Sequence, residues 1–180
     1  MYFAKPSSDG RDAIQNLRER GITIGRVSNC SRGVRDALVE HEMDRWFDHT
    51  ILSAEVGAMK PATEIYSLAA EALGVASTEC LCVGDSSDNE LEGAAAAGMN
   101  PILYDRTGTG ASSGFATVST HLDLLAFVTP LPRQADQSEE DSSGESLAAT
   151  SAAASTLVTY ATQSISSSPG RLGSAANRPA

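Results

Sequence analysis

Residues 80–90 read CLCVGDSSDNE, and they carry the clearest signal for the fold. Residues 80–83 form a short apolar run of the kind that makes a buried strand, and Gly84 and Asp85 follow it directly. A helical pattern then covers residues 88–97 and ends at Gly98, a usual helix-terminating residue. A buried strand that leads within a few residues into a helix is the repeating unit of a parallel α/β sheet. The stretch therefore predicts that Asp85 lies at the carboxyl edge of such a sheet, where ligands bind.

The same alternation extends from residue 9 to residue 127. Asp9 is a candidate N-cap for the first helix and Asp88 for the fourth. Strands that alternate with helices predict a Rossmann-like, doubly wound parallel sheet with helices on both faces. The predicted helices cover residues 9–20, 31–41, 61–73, 88–97 and 120–127, and the predicted strands cover 22–27, 50–52, 80–83 and 101–104.

The composition of the chain changes near residue 129. Of the 47 residues from 134 to 180, 25 are Ser, Ala or Thr, and large apolar side chains are rare. Such a segment buries too little surface to offset the entropy cost of ordering it. We therefore expect two parts, an α/β core at 1–129 and a disordered Ser/Ala-rich tail at 130–180. Within the tail, residues 155–160, STLVTY, have a strand-like composition.

The composition also excludes several classes of partner. The net charge of −10 and the sequence pI near 4.6 disfavour nucleic acid and anionic membranes. No apolar stretch reaches the length of a membrane span, and no signal peptide is evident. Three cysteines without a framework spacing favour a reducing compartment, so we expect a cytoplasmic protein without disulfides.

Polar side chains follow three of the predicted elements at the edge where ligands bind. Ser28 and Asn29 close a strand and could hold phosphate oxygens, with the next helix N-terminus assisting. Lys60, just before a helix, could place its ammonium beside a phosphoryl group. Asp85 and Glu90 could together bind a hard cation such as Mg²⁺. Each feature also has a plain structural interpretation, as a helix cap or an exposed lysine.

The order and spacing of these features resemble those of the haloacid dehalogenase (HAD) superfamily over residues 6–125. Ser28 matches the second family motif, Lys60 the third, and Asp85 with Glu90 the fourth. The resemblance implies Mg²⁺-dependent hydrolysis of phosphorylated small molecules through an aspartyl-phosphate. It also implies that Ser28 binds a phosphoryl oxygen, that Lys60 neutralises charge, and that Asp85 holds Mg²⁺ directly while Glu90 acts through water. A metal-binding fourth motif indicates the phosphatase-like branch rather than carbon–halogen chemistry.

The first family motif, Asp-x-Asp-x-Thr, is absent from the sequence. Asp9 and Asp12 are the only acidic residues before Glu19, and neither follows an apolar strand, so neither is assigned as the nucleophile. In the family, the strand that carries this motif lies in the middle of the sheet. The flanking strands could pair directly, residues 156–160 could fill the slot, or the chain could be a truncated product that does not fold stably alone. We expect the third outcome.

Two functions follow from this sequence. The first is a phosphate monoester hydrolase by descent, inactive in this chain because the nucleophile-bearing segment is missing. The alternative is a non-enzymatic phosphate-binding or pseudoenzyme module. A two-component receiver domain is disfavoured because Ser28 and Lys60 precede Asp85, the reverse of the receiver order. No cap domain fits between Ser28 and Lys60. In the family the cap largely sets the substrate specificity, so the sequence does not specify the substrate. It does not specify the oligomeric state either.

Overall fold

A computed structural model describes residues 7–108, 114–128 and 157–160. Six strands form one sheet in which every pairing is parallel, in the order β2-β1-β6-β3-β4-β5. The doubly wound parallel α/β fold predicted from the sequence is confirmed. The strands are β1 (Gly25–Ser28), β2 (His49–Leu52), β3 (Cys80–Gly84), β4 (Asn100–Tyr104), β5 (Ala116–Val118) and β6 (Leu157–Tyr160).

Helices connect the strands and cover the sheet. The α-helices are α1 (Ser8–Glu19), α2 (Val34–Glu40), α3 (Ser53–Val56), α4 (Thr63–Leu73) and α5 (Glu90–Ala96). Short 3-10 turns lie at Asp44–Trp46, Ser77–Glu79, Ser87–Asn89 and Leu122–Ala126. The last of these turns replaces the helix predicted at 120–127. None of the helices in the described residues is long and apolar enough to cross a membrane.

Neither of the two predicted N-caps caps its helix. Ser7, rather than Asp9, caps α1, because the Ser7 hydroxyl accepts a hydrogen bond from the Gly10 N–H. Asp88 lies in a 3-10 turn with a positive φ of 55°, and α5 begins after it, at Glu90. The chain therefore makes a tight turn after β3 before it becomes helical.

The hydrophobic core has a layer on each face of the sheet. On one face, Leu17 of α1 and Leu124 of the last turn pack with Leu81 of β3. On the other face, Ile65 and Tyr66 of α4 pack with cysteines and other apolar residues of β3, α5 and the loop after α5. This arrangement is possible because successive strand side chains point to opposite faces. It fixes the carboxyl ends of β1 and β3 at a common edge.

The central position of the sheet is occupied by β6, which follows the core by 28 residues in the sequence. No strand precedes β1 in the described residues. The possibility that the flanking strands pair directly is wrong, because β6 pairs with both. Of the tail at 130–180, for which the composition predicts disorder, residues 157–160 fill that slot as β6. The rest of that tail lies outside the described residues.

Candidate functional site

The carboxyl edge of the sheet brings together residues from separate parts of the sequence. Ser28 is the last residue of β1 and is buried, whereas Asp85 follows β3 directly and is exposed. Lys60 lies in the loop between α3 and α4. Parallel strands all end at the same edge, so Ser28 and Asp85 lie on either side of the end of β6.

The side-chain amide of Asn29 holds the backbone of Lys60. Its Nδ2 donates to the Lys60 carbonyl oxygen at 2.9 Å, and its Oδ1 accepts from the Lys60 N–H at 2.8 Å. These two hydrogen bonds cross-link the loops that follow β1 and α3. The observed contacts of Asn29 therefore position Lys60, and phosphate binding by Asn29 itself stays a prediction.

The ammonium of Lys60 forms a buried ion pair with Glu90, the first residue of α5. The two side chains are 4% and 1% exposed, so water does not screen the pair. Burial raises the pKa of Glu90, and the Lys60 ammonium opposes that shift. Glu90 Oε2 contacts Lys60, whereas Oε1 is buried without a hydrogen-bond partner.

Close approaches of the backbone hold the Lys60–Glu90 ion pair in place. A Cβ at Gly84 would collide with Glu90 Oε1, so only glycine lets the end of β3 lie against that carboxylate. A Cβ at Gly93 would likewise collide with the Pro61 carbonyl oxygen. Tyr66 of α4 donates its hydroxyl hydrogen to the Glu90 carbonyl oxygen at 2.7 Å. Helices α4 and α5 are thereby fixed around the ion pair.

The acidic residues at this edge are the available metal ligands. Asp85 is exposed, and one of its oxygens accepts from the Ser87 N–H at 3.0 Å. The described residues contain no group of three or more His, Cys, Asp or Glu side chains arranged to hold a metal ion. Mg²⁺ can be bound by one or two carboxylates plus water and substrate phosphate, however. Asp85 together with the unpartnered oxygen of Glu90 fits such a site.

A second polar cluster was not foreseen from the sequence. The Asp9 carboxylate contacts His121 Nδ1 at 2.8 Å and accepts from the His121 N–H at 3.2 Å. The imidazole stacks on Tyr104, with ring centroids 4.3 Å apart. Hydrogen bonds from Ser7 and His121 hold the pKa of Asp9 well below its usual range. Asp9 thus joins α1 to the last helical turn, which explains why it does not cap its helix.

Comparison with known proteins identifies relatives of this chain. The family model for haloacid dehalogenase-like hydrolases matches residues 3–98. A phosphatase of Mycobacterium tuberculosis is 37% identical over 113 residues, which are 60% of this chain and 50% of that protein. A glyceraldehyde 3-phosphate phosphatase of Methanopyrus kandleri is 34% identical over 105 residues, 58% of this chain and 45% of that protein.

Other matches widen the range of chemistry among the relatives. An (S)-2-haloacid dehalogenase of Pseudomonas putida is 29% identical over 119 residues, 65% of this chain and 51% of that protein. The crystal structure of a HAD phosphatase from Thermococcus onnurineus superposes with a TM-score of 0.61 and 28% identity, covering 67% of this chain and 57% of that one. The chain spans about half the length of the curated relatives it matches.

Proposed function

The chain belongs to the haloacid dehalogenase-like hydrolase family, and on that premise we propose that it carries the phosphate-binding and metal-binding part of a Mg²⁺-dependent phosphate monoester hydrolase. In the whole enzyme, an aspartyl-phosphate would form on a nucleophile that this chain lacks, so the chain alone is inactive. The single observation that supports this most strongly is the fixed position of Lys60. Asn29 holds its backbone and Glu90 its ammonium, at the sheet edge where Ser28 and Asp85 also lie.

Each residue has a distinct part in this proposal. The Ser28 hydroxyl donates a hydrogen bond to a phosphoryl oxygen, and the Lys60 ammonium neutralises the charge that develops there. Asn29 acts as a positioning residue through the Lys60 backbone. Asp85 holds the metal directly, and Glu90, whose Oε2 is bound to Lys60 and whose Oε1 is buried, contributes through water. Mg²⁺, when bound, would reduce the negative charge of the phosphoryl group.

The substrate class and the cellular location of the protein follow from the same premise. We propose a phosphorylated small molecule as substrate, supported by relatives whose names include glyceraldehyde 3-phosphate phosphatase. The functional core would comprise residues 1–129, and in this chain the strand at 157–160 takes the central position of its sheet. None of the three cysteines forms a disulfide within the described residues, which supports a reducing, cytoplasmic location.

Hydrolysis of para-nitrophenyl phosphate, with Mg²⁺ and with EDTA, tests the proposed activity. We expect no turnover by the chain alone, and Mg²⁺-dependent turnover once an upstream segment with Asp-x-Asp-x-Thr is joined to it. In that longer protein, Asp85→Asn should abolish turnover, whereas Asp88→Asn, an exposed carboxylate three residues away, should not. Mg²⁺-dependent turnover by the chain alone would show that a nucleophile has been overlooked. Release of halide from 2-chloropropionate instead would indicate dehalogenase chemistry.

Phosphate affinity tests the role of Asn29. Asn29→Ala removes both hydrogen bonds to the Lys60 backbone and should weaken binding of inorganic phosphate about tenfold, the equivalent of one or two hydrogen bonds. Asn29→Asp keeps the acceptor for the Lys60 N–H, but it loses the donor and adds a negative charge, so it should bind phosphate at least as weakly as Asn29→Ala. Unchanged affinity in both variants would refute the positioning role.

A second function, phosphate binding without catalysis, is favoured by one observation. The strand at the centre of the sheet, β6, is followed in the sequence by Ala161-Thr162-Gln163, so no carboxylate follows it there. A pseudoenzyme would bind phosphate in the presence of Mg²⁺ and would remain inactive with its natural upstream sequence attached. The activity assay on the longer protein separates the two functions.

A further inference from the structure

The sheet consists of two blocks of strands that only β6 connects. In the first block β1 pairs with β2, and in the second β3 pairs with β4 and β4 with β5. No pairing joins β1 to β3 directly within the described residues. Five strands therefore come from the continuous stretch 25–118, and the sixth, which holds them together, comes from residues 157–160.

The two edges that flank β6 lie in the protein interior. All residues of β1 and all residues of β3 are buried. Unpaired backbone N–H and C=O groups at buried edges are costly, so the slot between β1 and β3 strongly favours a strand that pairs with both sides. The edges define a binding groove for extended backbone.

Nothing in the topology requires this strand to be joined to the core. β6 runs parallel to both neighbours, and 28 residues separate it from Val128, the last described residue of the core. Backbone hydrogen bonds of this kind also bind separate peptides, as in recognition by strand addition. A covalent link adds no backbone pairing of its own and contributes an effective concentration, which is about millimolar for short linkers.

The register shows that the groove is longer than its described occupant. Each of the four residues of β6 pairs with a residue of β3, from Leu157 with Cys80 to Tyr160 with Val83. On the other side, the described pairing with β1 is between Arg26 and Tyr160, and β1 continues for two further residues to Ser28. A strand extended beyond Tyr160 would therefore find further acceptor and donor groups on β1.

We propose that the slot between β1 and β3 is a strand-binding groove, and that its ligand is the segment around Leu157–Tyr160, which can be supplied in trans as a separate peptide. The first-motif strand of the proposed hydrolase would take the same slot, so in a longer protein that carries it the two strands would compete for the groove. The ligand is recognised by parallel backbone pairing and by an uncharged, strand-favouring sequence, LVTY.

The test uses the full chain with Val158→Pro, since proline removes a backbone donor and is excluded from central strands. The matched control is Ala175→Pro, which places proline elsewhere in the same tail. Hydrogen–deuterium exchange at 25–28 and 80–84 should be fast in Val158→Pro and slow in the wild type and the control. Adding the peptide of residues 155–163 should restore protection, and the same peptide with Val158→Pro should not.

Two results would overturn the proposal. The first is amide exchange in Val158→Pro that is as slow as in the wild type, and the second is a native-sequence peptide that protects no better than its proline form. If Val158→Pro precipitates, the fluorescent native peptide is titrated onto the wild-type chain, where it competes with the tethered strand. We expect saturable binding of the fluorescent peptide in place of the tethered strand, with a midpoint at about millimolar peptide. Absence of any difference between the native and proline peptides would contradict a transferable strand.

Discussion

Glu90→Gln should lower the free energy of unfolding by about 3 kcal/mol, because it leaves the Lys60 ammonium buried without a countercharge. Glutamine has nearly the shape of glutamate, so the packing against Gly84 is kept and the change is electrostatic. The side chains of Lys60 and Glu90 are 4% and 1% exposed, so water cannot replace the lost partner.

The chain offers a matched surface pair for comparison. Arg35 and Glu55 also form a charge-assisted contact, with Arg35 Nε 2.7 Å from Glu55 Oε1, but their side chains are 46% and 41% exposed. Glu55→Gln should therefore cost less than about 1 kcal/mol. Lys60→Met combined with Glu90→Gln should recover part of the loss, because no buried charge then remains.

Urea unfolding followed by circular dichroism measures all three variants. The expected order of stability is wild type, Glu55→Gln, the double variant and then Glu90→Gln. Equal costs for Glu90→Gln and Glu55→Gln would show that the Lys60–Glu90 pair is not buried as described, and would refute the reasoning.

Two further predictions concern other parts of the structure. Hydrogen bonds from Ser7 and His121 lower the pKa of Asp9, so the stabilisation by Asp9 is present above its unfolded pKa of 3.8 and is lost as the pH falls through its lower folded pKa. In thermal unfolding, Asp9→Asn should therefore be less stable than the wild type at pH 5, and the difference should shrink in stronger acid; a difference independent of pH would contradict this. Gly84→Ala should cost about 1–3 kcal/mol in urea unfolding, because its Cβ collides with the Glu90 carboxylate, and a neutral effect would refute that close approach.

The sequence predicted the parts of the site that depend on strand ends. Short apolar runs followed by polar residues located Ser28 and Asp85 at the ends of β1 and β3, since parallel strands share one carboxyl edge. The same local signals predicted the end of α4 at Gly74, which adopts a positive φ of 71°. Such features can be predicted from neighbouring residues in the sequence alone.

The parts that were missed, or that were considered and not favoured, as β6 was, depend on contacts between distant residues. The strand β6 has only four residues, and its place in the sheet depends on pairing with residues more than 70 positions earlier. The Lys60–Glu90 pair spans 30 positions and the Asp9–His121 pair 112 positions. No local propensity encodes these partners, because they meet only after the helices have packed on the sheet.

The N-cap of α1 shows how such a contact overrides local preference. Asp9 and Ser7 are both good capping residues, and sequence alone does not decide between them. His121 binds the Asp9 carboxylate, and Ser7 is left to accept from the first turn of the helix.

The most direct test of the central claim is phosphorus NMR of inorganic phosphate titrated with the full chain in the presence of Mg²⁺. The account predicts saturable binding that is lost with EDTA and in Asp85→Asn and is retained in Asp88→Asn. Binding that is indifferent to Mg²⁺, or equally affected by the two substitutions, would contradict a phosphate and metal site at the ends of β1 and β3.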